Sequence, residues 1–185
     1  MKKGARALGI AESFRGDRST LAGVVTRASC VADGFAFTTC TVGGTDATDA
    51  ICSLFGDLGR EDVRYVLVSG IAPAWFNVVD LHHVADRTDR PVLSVTYENS
   101  EGLEPALHEQ FDGDELDERL ETYLAQPDRQ RVGIGDETLF VRAVGLNDDE
   151  AAAVVDGFTP VGGRPEPLRV ARLAARGADE FRRSR

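Results

Sequence analysis

Asp46 and Asp49 stand three residues apart in "TVGGTDATDAI", where a helical pattern begins directly after Gly43 and Gly44. Two chemistries suit such a pair. Neighbouring carboxylates supply hard oxygen ligands for a divalent ion such as magnesium, which polarises a phosphate and lowers the pKa of an attacking water. An Asp at a helix start also caps free amides, and a second in the first turn meets the positive end of the helix dipole. Both readings stay open on the residues alone. The two glycines are equally ambiguous. They let a phosphate approach the helix amides, or they form a turn with unusual dihedrals.

Other residue groups invite the same weighing. Glu12 lies in the mixed-charge stretch that runs through Arg15, Asp17 and Arg18. Glu98 follows a strand and is a candidate extra metal ligand. Trp75, Phe76 and Asn77 fall on a loop after a buried strand, where ligands bind in open α/β sheets. There an aromatic ring can stack on a base or wedge into a duplex. The same ring can simply pack, and Asn77 can cap a short helix running through Asp80 and Val84. Arg164, Arg169, Arg172 and Arg176 form the most basic region. The last three share one helix face, suited to phosphates or to pairing with surface carboxylates. The acidic run Asp112, Asp114, Glu115, Asp117 and Glu118 lacks the spacing of a calcium loop.

The chain has 185 residues and a formal net charge of −10. Lys2 and Lys3 are its only lysines, and every other basic residue is arginine. Such a balance argues against nucleic acid in general. It also matches proteins of salt-loving archaea, in which an acidic surface sustains solubility and concentrated salt screens charge within a few ångströms. Local patches therefore decide the partner. Cys30, Cys40 and Cys52 have no metal-ligand spacing and read as small buried hydrophobes in a reducing compartment. The chain shows neither a membrane-length apolar run nor a signal-peptide pattern, so a cytoplasmic protein is expected.

Hydrophobic period supplies the elements. Strands are expected at 7–10, along "TLAGVVTRASCV" and at 35–42, as an antiparallel meander. Ala47, Ala50, Ile51, Leu54, Phe55 and Leu58 mark one buried helix face. Strands at 64–70 and 91–97 with a helix between them predict a parallel crossover unit. A helical hairpin is expected over 103–125, then an edge strand in "TLFVRAVG" and two helices, the last opening at Pro167. The prediction is a single α/β domain over 1–185. Its mixed sheet has a three-strand meander, parallel strands and flanking helices, the order of a ribonuclease-H-like fold.

Four segments together resemble the archaeal endonuclease dU family, which is related to endonuclease V. They are "LGIAESF", "VGGTDATDAI", "SGIAPAWFNVVDL" and "GGRPEPLRVARLAA". The resemblance spans residues 8 to 175. It implies a magnesium-dependent endonuclease acting in DNA repair on DNA with deaminated bases such as deoxyuridine. Asp46, Asp49 and Glu12 would then be catalytic, and together with Glu98 would hold the metal. Trp75, Phe76 and Asn77 would contact the lesion, and Arg164, Arg169 and Arg172 the backbone. The pattern expects an Asp where this chain has Ala11, and an acid at Ser69. The alternative is a non-catalytic relative that binds nucleic acid or protein. Three converging carboxylates would favour the enzyme. A pocket with one would favour the binder.

Overall fold

The computed structural model describes residues 1–184. Seven strands form one mixed sheet in the order β3-β2-β1-β4-β5-β7-β6. β1 (Arg6–Phe14), β2 (Arg18–Arg27) and β3 (Ala32–Thr41) are the antiparallel meander. α1 (Ala47–Leu58) leads to β4 (Val63–Ser69), which runs parallel to β1. A left-handed turn, α2 (Pro73–Phe76), and α3 (Leu81–Thr88) precede β5 (Val92–Thr96), parallel to β4. The helical hairpin is α4 (Glu104–Gln110) and α5 (Gly113–Leu124). β6 (Gln130–Ile134) and β7 (Glu137–Val144) follow, then α6 (Asp148–Gly157) and α7 (Glu166–Arg183). The α/β architecture expected from the sequence is the one found.

Two differences bear on the site. β1 runs to Phe14 rather than stopping at Ile10, because Glu12, Ser13 and Phe14 pair with Leu21, Thr20 and Ser19 of β2. The expected edge strand, β7, is instead flanked by β6 at the true edge. β6 carries only the short alternation Val132–Ile134, a faint period, although the Gly135–Asp136 pair that joins it to β7 is a recognisable hairpin signal.

The sheet is covered on both faces. Leu8 and Ile10 point to a core with Ile51 and Leu54 of α1 and Leu81 and Val84 of α3. The opposite face carries Ala7, Leu67, Leu93 and Val95 against α6, Phe158 and Leu168. Ala11 lies on that second face, against Val24 and Ala171 of α7. Gly9 permits the close crossing there, since a Cβ would stand 2.3 Å from the Pro167 carbonyl carbon. Among the described residues no helix is long and apolar enough to cross a membrane.

Candidate functional site

Asp46 occupies the residue before α1, but its carboxylate turns away from the helix amides. It accepts the Thr41 amide at 2.9 Å, the Thr41 hydroxyl at 2.9 Å and the Asn77 side-chain amide at 2.8 Å. Burial pushes its pKa up. The Thr41 amide, the Asn77 amide and the Thr41 hydroxyl outweigh that and hold it below the ordinary carboxylate value. Asn77 is fully buried. Its Oδ1 accepts the Ala47 amide at 2.9 Å, and its Nδ2 also donates to the Thr41 carbonyl at 2.9 Å. Asn77 thus caps α1, not the following helix. Asp80 caps α3 instead, accepting the His82 and His83 amides at 3.0 and 3.1 Å. The expected Asn cap of the 77–84 helix is corrected accordingly.

A lowered carboxyl pKa has a direct consequence for stability. Its contribution is present above about pH 4 and fades as the pH falls through the depressed folded-state value. Asp46→Asn should cost about 2 kcal/mol at neutral pH. The variant should then lose less additional stability than the parent on acidification, as read by denaturant midpoints along a pH series. Parallel pH curves for the two chains would show that Asp46 is not held this way.

The four candidate metal acids separate. Glu12 remains within β1, so it points to the α1 face, opposite Ala11, and accepts the Ser19 hydroxyl at 2.7 Å. Glu12 and Asp46 both act on the buried Cys40 thiol. Burial first, then Asp46 and Glu12, push it up to about 11 against Arg18 and Ser19. Asp49 is exposed and lines a different small cavity with Asp80, His83 and Glu118. Glu98 stands at a third place, past the end of β5. Among the described residues, no three His, Cys, Asp or Glu side chains group so as to hold an ion.

The "VGG" loop and the aromatic turn lock together. The Gly43 amide donates to the Ala74 carbonyl at 2.7 Å and the Gly44 amide to the Thr41 carbonyl at 3.1 Å, so both amides are committed internally. This is the turn reading of the glycine pair. Gly43 has φ 71°, and a Cβ on it would lie 2.8 Å from the Trp75 ring. Ala74, Trp75 and Phe76 are all left-handed, at φ 52°, 56° and 61°. Each costs about 1 kcal/mol in a residue with a Cβ, and such strain marks a segment held by its surroundings. Phe76 and Phe111 pack edge-on at 5.8 Å, and Arg119 lies 4.0 Å over the Phe111 ring and donates to the Gly43 carbonyl. The outcome is a Trp75 that stays 46% exposed on a rigid turn.

A cleft of about 370 Å³ opens at the C-terminal ends of β4 and β5. Ser69, Thr96, Tyr97, Glu98, Ser100 and Tyr123 contribute to its lining, as do Arg129, Arg142, Arg164 and Arg172. Among the described residues Glu98 is its single carboxylate. Arg164 lies 4.1 Å over the Tyr97 ring, Arg129 4.6 Å over Phe140, and Arg142 5.0 Å over Tyr123. The Tyr97 hydroxyl is buried without a hydrogen-bond partner among the described residues. Burial drives its pKa up to about 12, although Arg164 and Arg172 pull it down. Arg169 does not join this group. Both its Nε and its Nη2 reach Glu166, at 2.7 Å each.

This cleft adjoins the two positions where the family resemblance expects acids. The registered pairs of β1 and β4 end at Ile10 and Val68, so Ala11 and Ser69 come next, side by side, on the face that α7 covers. Only Ser69 lines the cleft. A hard divalent ion wants carboxylate and carbonyl oxygens, and the donor set here is one carboxylate and hydroxyls among four guanidinium groups. The residues present do not fit a resident magnesium ion. Arg129 and Arg142 escaped the sequence reading. The available signal was Arg142 itself, a charge inside the apolar strand "LFVRAV".

The comparisons with known proteins agree with this architecture. A UPF0215 protein of Pyrobaculum calidifontis is 33% identical over 183 residues, covering 96% of this chain and all of the relative. A UPF0215 protein of Thermococcus kodakarensis is 33% identical over 161 residues, covering 86% of this chain and 80% of the relative. The crystal structure of a protein of unknown function from Archaeoglobus fulgidus superposes with TM-score 0.85 at 28% identity, covering 94% of this chain and 98% of that one. Endonuclease V of Streptomyces avermitilis superposes with TM-score 0.65 at 15% identity, covering 97% and 83%. Ciona intestinalis endonuclease V, solved with DNA containing an inosine, gives TM-score 0.61 at 14% identity, covering 98% and 87%. At those last identities the likeness shows a shared fold. The profile of the Endonuclease dU family matches residues 3–178, and the chain belongs to that nuclease-named family.

Proposed function

We propose that this chain is a nucleic-acid-binding member of the endonuclease dU family, without the carboxylate set that ion-assisted hydrolysis needs. The single carrying observation is the charge at the sheet edge: four arginines and one carboxylate line the cleft beside Ala11 and Ser69. Arginine-rich concave surfaces bind phosphate, and an exposed aromatic on a rigid turn offers a stacking platform. Trp75 is that platform in this reading, with Phe76 and Asn77 as its support. The partner is DNA in the first instance. An acidic, lysine-poor surface suits work in a salt-rich cytoplasm, where long-range repulsion of a polyanion is screened and contact-distance arginines still act.

The second reading rests on the family match itself. In it the chain is a magnesium-dependent endonuclease of DNA repair, cutting at deaminated bases such as deoxyuridine, with Asp46, Asp49, Glu12 and Glu98 as ligands. One experiment separates the two. The full chain is mixed with uracil-containing and matched control duplexes, with and without magnesium, at low and at molar potassium chloride. Binding that differs by less than about tenfold between the duplexes, with no magnesium-dependent product, supports the binder. Cleavage at deoxyuridine that requires magnesium and is lost in Asp46→Ala overturns it in favour of the enzyme.

A further inference from the structure

We infer that the arginine cleft takes a nucleotide unit carrying a phosphomonoester, not a phosphodiester in mid-strand. The inference deepens the nucleic-acid reading above and rests on it. A phosphomonoester is the group found at the phosphorylated end of a strand and on a free nucleoside monophosphate. It carries close to two negative charges at neutral pH, whereas each diester carries one.

Charge is the first argument. Four guanidinium groups face one carboxylate in the same concavity. Among the described residues Arg164 and Arg172 have neither a carboxylate nor a hydrogen-bond acceptor as partner, and the contact recorded for Arg164 is the face of Tyr97. Arg169, three residues from Arg172, shows the alternative, because its guanidinium is neutralised by Glu166. In a chain of net charge −10, two unpaired arginines in one cleft fit an anion that outcompetes local carboxylates.

Shape is the second. About 370 Å³ suits a single nucleotide and is far too small for a duplex. The loop 98–103 forms one wall, and it is tied down. Arg129 reaches the Ser100 hydroxyl at 3.2 Å, and the Leu103 amide donates to the Tyr123 hydroxyl at 3.0 Å.

Preorganisation is the third. Tyr97, Phe140 and Tyr123 each carry an arginine on or near the ring face. The rings therefore fix guanidinium planes. Arg129 and Arg142 commit N–H groups to Ser100, Pro127 and the Tyr123 hydroxyl, whereas stacked Arg164 keeps its in-plane N–H groups for phosphate oxygens. Contact at that range survives molar salt far better than long-range attraction does.

The test uses one single-stranded oligonucleotide sequence with a 5′-phosphate, a 3′-phosphate or hydroxyls at both ends. Binding to the full chain is followed by fluorescence anisotropy at low and molar potassium chloride, with competition by a nucleoside monophosphate and by inorganic phosphate. A phosphorylated end is expected to bind at least about tenfold tighter than the hydroxyl-ended strand. That preference should collapse to within about twofold in Arg164→Ala/Arg172→Ala, and separately in Arg172→Glu, while Arg169→Ala keeps it. Near-equal binding of the two phosphorylated strands to the hydroxyl strand, with tight competition by the nucleoside monophosphate that both cleft variants lose, supports the free nucleotide as the source. Equal binding of all three strands with no such competition overturns this inference and leaves the nucleic-acid reading standing. A preference retained in both cleft variants overturns it too. No binding of any strand or nucleotide overturns the nucleic-acid reading itself.

Discussion

Asn77→Ala should lose about 4 kcal/mol of folding stability, more than most single substitutions in a chain of this size. The side chain is fully buried and holds three polar groups from two other segments. Its loss strands the Ala47 amide and one side of the Asp46 carboxylate and leaves the Thr41 carbonyl only the Gly44 amide, and each buried group left unpaired costs about 1–3 kcal/mol. A small cavity adds to this. Asn77→Asp should be as damaging at neutral pH, because the new oxygen faces the Thr41 carbonyl and the Asp46 carboxylate. The introduced carboxyl and Asp46 stand side by side, so the new carboxyl's pKa is raised above its unfolded value. The penalty is then full above the raised folded-state value and fades as the pH falls from there towards the unfolded one. Denaturant midpoints at several pH values read both effects. A loss under about 1 kcal/mol for Asn77→Ala would mean that water takes over the three bonds. The substitution should also loosen the left-handed turn before it, visible as faster hydrogen exchange at Val79, whose amide bonds to the Ile71 carbonyl at 2.8 Å.

Ala11→Asp, the substitution that restores the acid expected of the family, should destabilise by about 3 kcal/mol and create no cleavage. Ala11 is 4% exposed and packs against Val24 and Ala171. A carboxylate there is desolvated, its strand neighbour is Ser69, and Glu12 points to the opposite face. The introduced carboxyl has a raised pKa. Its cost is therefore full at neutral pH and shrinks on acidification, the opposite of the trend at Asp46. Magnesium-dependent cleavage gained by Ala11→Asp alone would show that the cleft assembles a metal centre in spite of its arginines, and would revive the enzyme reading.

Much of the fold was legible because its elements are locally consistent. The Ala47–Leu58 period appears as α1, the apolar run at 64–70 appears as a parallel strand shifted by one residue, and the run at 91–97 as one that is a residue shorter at each end. The end of β1 was not legible. "ESF" is polar enough to read as a loop, and only pairing with β2 keeps it in the strand. That one difference moved Glu12 to the other face and removed it as a stand-in for Ala11. β6 was faint because its burial depends on α6 and β7 more than on its own short period, Val132–Ile134.

The site divides in the same way. From the amino-acid sequence alone come the helix start at Asp46, the aromatic loop, the absence of acids at Ala11 and Ser69, and a basic C-terminal region in an acidic chain. These depend on residue type and near spacing, which local sterics and charge translate directly. Tertiary structure alone decided what Asp46 does, because one of its side-chain partners, Asn77, lies 31 residues away. It also separated Arg169 from Arg164 and Arg172, and joined the latter two to Arg129 before β6 and Arg142 in β7. Whether a charged side chain is neutralised or left facing a cleft depends on which distant segments the sheet order brings beside it. No spacing along the chain carries that information.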